Sequence, residues 1–485
     1  MKKDPTQTED SDSSRALPLV VDLDGTLVAS DLLVESAFLL ARKKPLHLAF
    51  LPAWLSHGRA WLKRGIAGDV MPDVSTLPYH RELLAFLRAE KARGRQIVLA
   101  TASDERIARE VADELDLFDE VLASNGTTNL GGTRKHDLLV KKYGTRGFDY
   151  AGNSGRDLAV WRSARRGILV QPPHGLKRRA AEVTEVQHVF DEHGVDLNLY
   201  LGALRPQHWL KNALVLVPLI ASHQILDATL VLQAFIAFVA FSLCASSVYL
   251  LNDLMDLPSD RRHPHKKDRA LASGQMPIHH ALVLIPLLLI ASAAAGLALS
   301  PRFLGVLAVY YLLTLAYSLR LKDLVILDVL VLAVGLTLRV LAGSVAVDIP
   351  PSPWLLAFCV FIFFSLALVK RYAELVTIKA QRGSDAKARG YVLLDSELLA
   401  ALGGASGYLS VLVLALYITT DMARSLYDHH ELIWLICLAL LYWISYLWLM
   451  AHRGRMPDDP LVFAIHDPTS RSIILISLAI AVIAI

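Results

Sequence analysis

The chain has 485 residues, 54% of them hydrophobic, with a formal net charge of only +3. That length exceeds a single hydrophobic core and requires division into domains. So small a charge gives no argument for a nucleic-acid partner. Cys244, Cys359 and Cys437 sit inside apolar runs, a pattern of neither a disulfide framework nor a zinc site.

Residues 1–15 are polar and Ser/Asp-rich and read as a disordered tail, with no apolar stretch after them to suggest a secretory signal. Short apolar runs then alternate with helical patterns, at 17–21, 97–100, 120–122, 149–151 and 167–170. This alternation predicts an α/β domain with a parallel sheet and a site at the carboxyl ends of its strands. Those ends are polar: Asp22-Leu23-Asp24-Gly25-Thr26, then Thr101-Ala102-Ser103, a Gly-rich loop before Lys135, and Gly152-Asn153-Ser154-Gly155-Arg156-Asp157.

Together these four segments resemble the motifs of the haloacid dehalogenase-like phosphatases, whose Rossmann-like fold is then expected over residues 16–190. The resemblance implies that Asp22 is the nucleophile and a magnesium ligand, and Asp24 the acid/base. It also implies that Thr101 and Lys135 hold phosphoryl oxygens and that Asp157 helps bind Mg²⁺. Asn153 departs from the pattern, where a carboxylate usually follows the glycine. The insertion from about 30 to 78, with Trp54, Trp61, Lys63 and Arg64, reads either as a helical cap or as a basic amphipathic surface on lipid headgroups. Residues 172–198 read as a helix plus linker, with 191–204 joining the two halves and 197–204 suited to an interface.

From 205 to 485 the chain is membrane-like. Windows of 19–20 residues select nine spans, near 209–224, 228–251, 279–300, 302–319, 324–347, 353–372, 398–420, 431–451 and 471–485. Alternate loops hold most of the Lys and Arg, including Arg382, Lys387 and Arg389, while the opposite loops hold only Arg302 and Arg424. That asymmetry predicts a multi-pass protein of an inner (cytoplasmic) membrane, with the N-terminal domain and both sites on the cytoplasmic side.

The second span ends in Asn252-Asp253-Leu254-Met255-Asp256-Leu257-Pro258-Ser259-Asp260, which puts three carboxylates on one helical face. Carboxylates at that depth are costly and repel one another unless a cation lies between them. Mg²⁺ carried on a substrate's phosphates suits them. The loops on the same side hold Arg205-Pro206-Gln207-His208-Trp209-Leu210-Lys211-Asn212, a His263-to-Gly274 segment with Lys266 and Arg269, Lys322-Asp323 with Asp328, and Lys370-Arg371 with Glu374.

This half resembles the UbiA superfamily of nine-helix intramembrane transferases, through its NDxxDxxxD motif and acidic second motif. The RPQHWLKN, HP-x-K-x-x-RAxASG and KRxxEL segments are similar to its decaprenyl-phosphate phosphoribosyltransferase branch. The resemblance implies that phosphoribosyl diphosphate is the donor and a polyprenyl phosphate the acceptor. Asn252, Asp253, Asp256, Asp260, Asp323 and Asp328 are then the magnesium set, with Asp253 and Asp256 central to catalysis. Lys211, Asn212, Lys266, Arg269, Lys322, Lys370 and Arg371 are the phosphate and substrate contacts. The alternative is an aromatic prenyltransferase using a polyprenyl diphosphate. His263 and His265 suit phosphate hydrogen bonds better than metal ligation. Arg339, in mid-span, needs an acidic partner, for which Asp328 is the candidate. Asp458, Asp459 and Asp467 read as loop charges or as groups that close the site.

Overall fold

A computed structural model describes residues 17–190, 197–382, 387–388, 390–457 and 459–485. The expected tail 1–15, linker positions 191–196, Arg389 and Asp458 lie outside the described residues, as do the side chains of Arg382 and Lys387. The chain divides into two compact units. The first joins residues through Leu204 to Tyr249–Leu284, and the second joins Arg205–Val248 to Ile285–Ile485.

The first unit contains a six-stranded parallel sheet in the order β3-β2-β1-β4-β5-β6. The strands are β1 (Leu19–Val21), β2 (Ile97–Asp104), β3 (Glu120–Ser124), β4 (Asp149–Gly152), β5 (Arg166–Val170) and β6 (Glu185–Phe190). Leu19, Val20 and Val21 have no exposed surface, as expected for a short, β-rich run covered on both faces. β1 lies between β2 and β4, with Val20 opposite Val98 on one side and Tyr150 on the other. The strand order reverses there, which opens a crevice beyond the carboxyl ends. Five of these strands fall on the expected runs. β6 corrects the reading of 172–198 as helix plus linker: only Leu176–Ala181 is helical before it. As a half-exposed edge strand, β6 lacks the apolar run that marked the others.

The insertion folds as helices Leu32–Lys43, Leu51–Ser56 and Arg59–Asp69 around a small core of Leu39, Leu40, Ile66 and Val70. Leu46, Phe50, Leu55 and Trp61 remain exposed on it. The helical-cap expectation therefore describes its fold, and an uncovered apolar face accompanies it.

Among the described residues of the rest of the chain, seven helices are long and apolar enough to cross a membrane, from Ala228–Arg262 to His430–His452. An eighth span is possible if Pro460–His466 and Pro468–Ala484, bent by 81°, count as one. The expected span at 209–224 is instead a 3₁₀ segment, Pro206–Leu216, followed by the short helix Val217–Ala221. Pro206 and Pro218 each open one of these pieces, where proline's missing N–H and fixed φ are tolerated. Gly343, on helix Leu327–Ala346, lies against this segment: a Cβ there would sit 2.0 Å from the Val215 carbonyl oxygen. The second expected span is longer than its apolar run, because helix Ala228–Arg262 continues through the acidic motif with Pro258 inside it.

Candidate functional site

In the α/β domain, the chain leaves β1 at Asp22 and turns sharply. Leu27 N–H donates to the Asp22 carbonyl, Val28 N–H to Leu23, and Gly25 N–H to Ser30. Gly25 has a φ of +73°, and a Cβ on it would come within 2.1 Å of the Asn153 side-chain nitrogen. Glycine is needed on both counts. Asp24 faces back into the site, accepting from Ser103 Oγ at 2.5 Å and from Leu32 N–H at 2.9 Å. Burial pushes its carboxyl up to about 6.

Lys135 Nζ donates to Asp22 Oδ1 at 2.7 Å and to the Tyr150 hydroxyl at 3.0 Å. Burial raises the Asp22 carboxyl in spite of that ammonium. Tyr150 in turn donates to Asp157 Oδ1 at 2.8 Å. Asp157 Oδ2 accepts from Asn153 N–H, Ser154 N–H and Ser154 Oγ, closing a capping box over the last motif. Thr101 is buried beside these groups, its Oγ1 accepting from Ser103 N–H. The structure thus brings Asp22, Asp24, Thr101, Lys135 and Asp157 into one crevice.

The Asp22 side chain keeps 14% of its surface exposed, so a phosphoryl group can reach it. Asp22 and Asp157 offer hard oxygen ligands that suit Mg²⁺, with Asn153 a neutral amide in place of a third carboxylate. Two neighbours were not assigned to this site by sequence. Tyr150 carried no motif signal, since a tyrosine in a strand reads as core. Lys63 was visible only as one of the insertion's charges. Its ammonium reaches Ala102 O at 2.5 Å and Asn129 Oδ1 at 3.1 Å, and burial lowers its pKa.

The first acidic motif lies on the last turns of helix Ala228–Arg262. Asp253 and Asp260 are buried and Asp256 is half-buried. Two arginines meet these carboxylates. Arg269 donates to Asp253 at 3.2 Å and to Asp260 at 2.6 Å, and Arg42, from the insertion, meets Asp256 at 2.7 Å. Asn252 Oδ1 is buried and has no hydrogen-bond partner. An oxygen-only donor set with one orphaned oxygen fits a hard cation such as Mg²⁺. Among the described residues no three acid or imidazole groups form a ready metal cage. Such a cation would take few protein ligands here and the rest from phosphate, its usual habit. Lys266 is half-buried on the loop that follows, and His263 and His265 are exposed.

The second acidic motif is arranged differently. Asp328 has no exposed surface and is ion-paired with Arg371, itself 1% exposed. Arg371 also reaches Glu374 at 2.6 Å and the Tyr317 hydroxyl at 3.0 Å, and Tyr391 donates to Asp328 at 2.6 Å. The Tyr391 hydroxyl accepts from Ile326 N–H as well, fixing a β-branched residue at φ +68°. Asp323 is exposed on a 3₁₀ turn beside Lys322. Arg371 and Asp328, expected at phosphate and metal, therefore satisfy each other.

Arg339 corrects an expectation. Its partners are Asn212 Oδ1 at 2.8 Å, the Tyr310 hydroxyl at 2.8 Å and Gly335 O at 2.6 Å, with its guanidinium 4.7 Å from the Tyr310 ring centre. Asp328 lies three turns away on the same helix, about 16 Å along its axis, which is too far to pair. Asn212 is fully buried, its amide shared between Arg339 and Ser242.

Lys211 pairs with Asp459, and Lys370 is half-buried. Asp459 and Asp467 cap the helices that follow, accepting from Leu461 N–H at 3.1 Å and from Ser470 N–H at 2.7 Å. Each precedes a proline at the first helical position, a cap signal already present in the sequence.

Two family models match the chain: UbiA prenyltransferase family over residues 213–466, and haloacid dehalogenase-like hydrolase over residues 19–146. The chain is 36% identical to uncharacterized protein y4nM of Sinorhizobium fredii over 460 residues, which is 94% of this chain and 89% of that one. It is 35% identical to nodulation protein NoeC of Azorhizobium caulinodans over 277 residues, 56% of this chain and 88% of that one. It is 41% identical to decaprenyl-phosphate phosphoribosyltransferase of Mycolicibacterium smegmatis over 189 residues, 38% of this chain and 59% of that one.

Proposed function

Because the chain belongs to the UbiA prenyltransferase family and joins to it a haloacid dehalogenase-like domain, we propose that it transfers 5-phosphoribose from phosphoribosyl diphosphate to a polyprenyl phosphate and then removes the 5-phosphate. The observation that carries the choice of donor is the 41% identity to a decaprenyl-phosphate phosphoribosyltransferase. The RPQHWLKN and KRxxEL segments support it.

In the transfer, Asn252, Asp253 and Asp256 would hold the metal, and Lys266 and Arg269 pair with diphosphate oxygens. Mg²⁺, when bound, neutralises the departing diphosphate as the ribose C1 becomes cationic. The acceptor's phosphate oxygen forms the new bond to C1 while the bond to diphosphate breaks, so no protein nucleophile is required. The Lys and Arg asymmetry of the loops supports a cytoplasmic site.

For the second step, Asp22 Oδ attacks the phosphorus and Lys135 and Thr101 hold the phosphoryl oxygens. Asp24 gives its proton to the ribose 5-oxygen, and its carboxyl at about 6 keeps that proton available near neutral pH. Water then attacks the aspartyl-phosphate, with Asp24 as base, and inorganic phosphate leaves. The fusion supports this order, because a tethered domain meets a lipid-anchored product at high effective concentration.

Purified full-length protein, phosphoribosyl diphosphate labelled in the ribose, polyprenyl phosphate and Mg²⁺ test both steps. Labelled lipid lacking its 5-phosphate is the expected product. No labelled lipid rejects the transfer, and a 5-phosphate retained equally by wild type and Asp22→Asn rejects the hydrolysis.

A further inference from the structure

The first compact unit holds both the α/β domain and Tyr249–Leu284, so contacts between insertion and acidic motif are internal to it. They centre on helix Leu32–Lys43. Its N-terminus is fixed by two carboxylates: Asp31 caps it through Leu33 N–H and Val34 N–H, and Asp24 accepts from Leu32 N–H. Glu35 and Arg42, seven residues apart, share a face of this helix. Glu35 forms a two-pronged pair with Arg261, at 2.9 and 2.5 Å, with both side chains 5% exposed or less. Arg42 meets Asp256 at 2.7 Å. Helix Ala228–Arg262 thus presents an acid and a base, five residues apart, to a base and an acid on the insertion. Gly274 closes the contact, since a Cβ there would lie 2.8 Å from the Ala29 Cβ.

The two pairs differ in kind. Glu35 and Arg261 are sealed from water, and Ser30 Oγ also donates to Glu35. A sealed, fully hydrogen-bonded pair fixes register. The Arg42 and Asp256 side chains are 36% and 26% exposed, so a dissolved cation can reach the carboxylate. Asp256 is also the acid one helical turn beyond Asn252, whose buried Oδ1 has no partner.

We propose that Arg42, a residue of the phosphatase-like domain, is a counter-ion of Asp256 in the transferase's first acidic motif, holding it until a divalent cation displaces it. The inference rests on Asp256 being a metal ligand in the reading above, and on geometry rather than on the identity of the donor. Arg42 is a positioning residue: it acts through Asp256, and the Glu35–Arg261 pair fixes where it sits. The N-terminal domain then sets how readily the transferase takes up metal.

The test is a calorimetric titration of full-length protein with MgCl₂ alone, in an Asp22→Asn background that weakens metal uptake at the α/β site. Without its competitor Asp256 binds the cation more tightly, so Arg42→Ala is expected to lower the Mg²⁺ half-saturation roughly three- to tenfold at low salt. Arg42→Lys is expected to give a smaller shift. The difference should shrink in about 0.5 M KCl, where exposed charges are screened. It should vanish when Asp256→Asn is added, as direct coupling requires. Arg93→Ala removes an exposed arginine elsewhere in the same domain and controls for net charge. Melting without metal confirms that each variant is folded. A half-saturation in Arg42→Ala equal to that of Arg93→Ala overturns the proposal, and so does a shift that persists with Asp256→Asn. Failure to make labelled lipid alongside an intact Mg²⁺ shift rejects the proposed transfer and leaves this inference standing.

Discussion

The strand-end site of the α/β domain and the buried charges of the helical half show opposite treatments of the same side chains. At the end of β1, Asp22 has one lysine and keeps part of its surface open. On helix Leu327–Ala346, Asp328 is fully buried against Arg371, a tyrosine hydroxyl on its other oxygen. A strand end opens onto a crevice where water and ligands solvate a carboxylate. Between apolar helices no solvent does so, and an unpaired charge is too costly to keep. A carboxylate in a motif therefore reads more directly as chemistry in the first setting than in the second.

Replacement of the two acids sharpens that contrast. Asp22→Asn removes the attacking oxygen, so phosphomonoester hydrolysis should fall at least about a thousandfold. The labelled lipid should then keep its 5-phosphate, read by chromatography of the released sugar. Asp256→Asn should lower transfer by roughly a hundred- to thousandfold through loss of a metal ligand, measured as the initial rate of lipid labelling.

Arg371→Ala tests the helical half as structure. It strands Asp328 without its cation and should cost about 3–5 kcal/mol, seen as a large drop in melting temperature. Adding Asp328→Asn should recover much of the loss, since the cost lies in the uncompensated charge. A small effect of Arg371→Ala on melting, with transfer lost, would make the pair functional instead and erase the contrast.

The smallest effect concerns Asp24. Its carboxyl binds a proton more tightly in the folded chain, at about 6, than in the unfolded chain, at 3.8. Stability from that group is full below pH 3.8 and is lost as pH rises through 6. The loss is of order 3 kcal/mol in total, from well below the lower value to well above the upper. Less than half of that loss, about 1.3 kcal/mol, falls between pH 5 and pH 7, so metal-free protein should melt slightly lower at pH 7 than at pH 5, and Asp24→Asn should flatten the dependence.

The legible parts were local. Asp22-Leu23-Asp24-Gly25-Thr26 names a strand end, a turn that needs glycine and two acids in five residues, and the structure places each accordingly. Most of the long spans were legible as well, because apolar length is a property of a single segment. The 209–224 segment was not, since it has the composition of a span while its prolines divide it into a 3₁₀ piece and a short helix. β6 was missed because an edge strand can be polar.

Pairing was hidden from the sequence. The acid on Arg339's own helix lies three turns from it, and its side-chain partners come instead from the 3₁₀ segment and a neighbouring helix. Tyr150 and Lys63 joined the α/β site with no motif to announce them.

By itself, then, the sequence determined most of the strands and long apolar helices and which loops gather charged side chains, because periodicity and turn residues act over a few positions. Only the tertiary structure decided which cation meets which carboxylate. Glu35 and Arg261 lie 226 residues apart in the chain, and a charge's partner depends on proximity in space and on how much water is excluded around it.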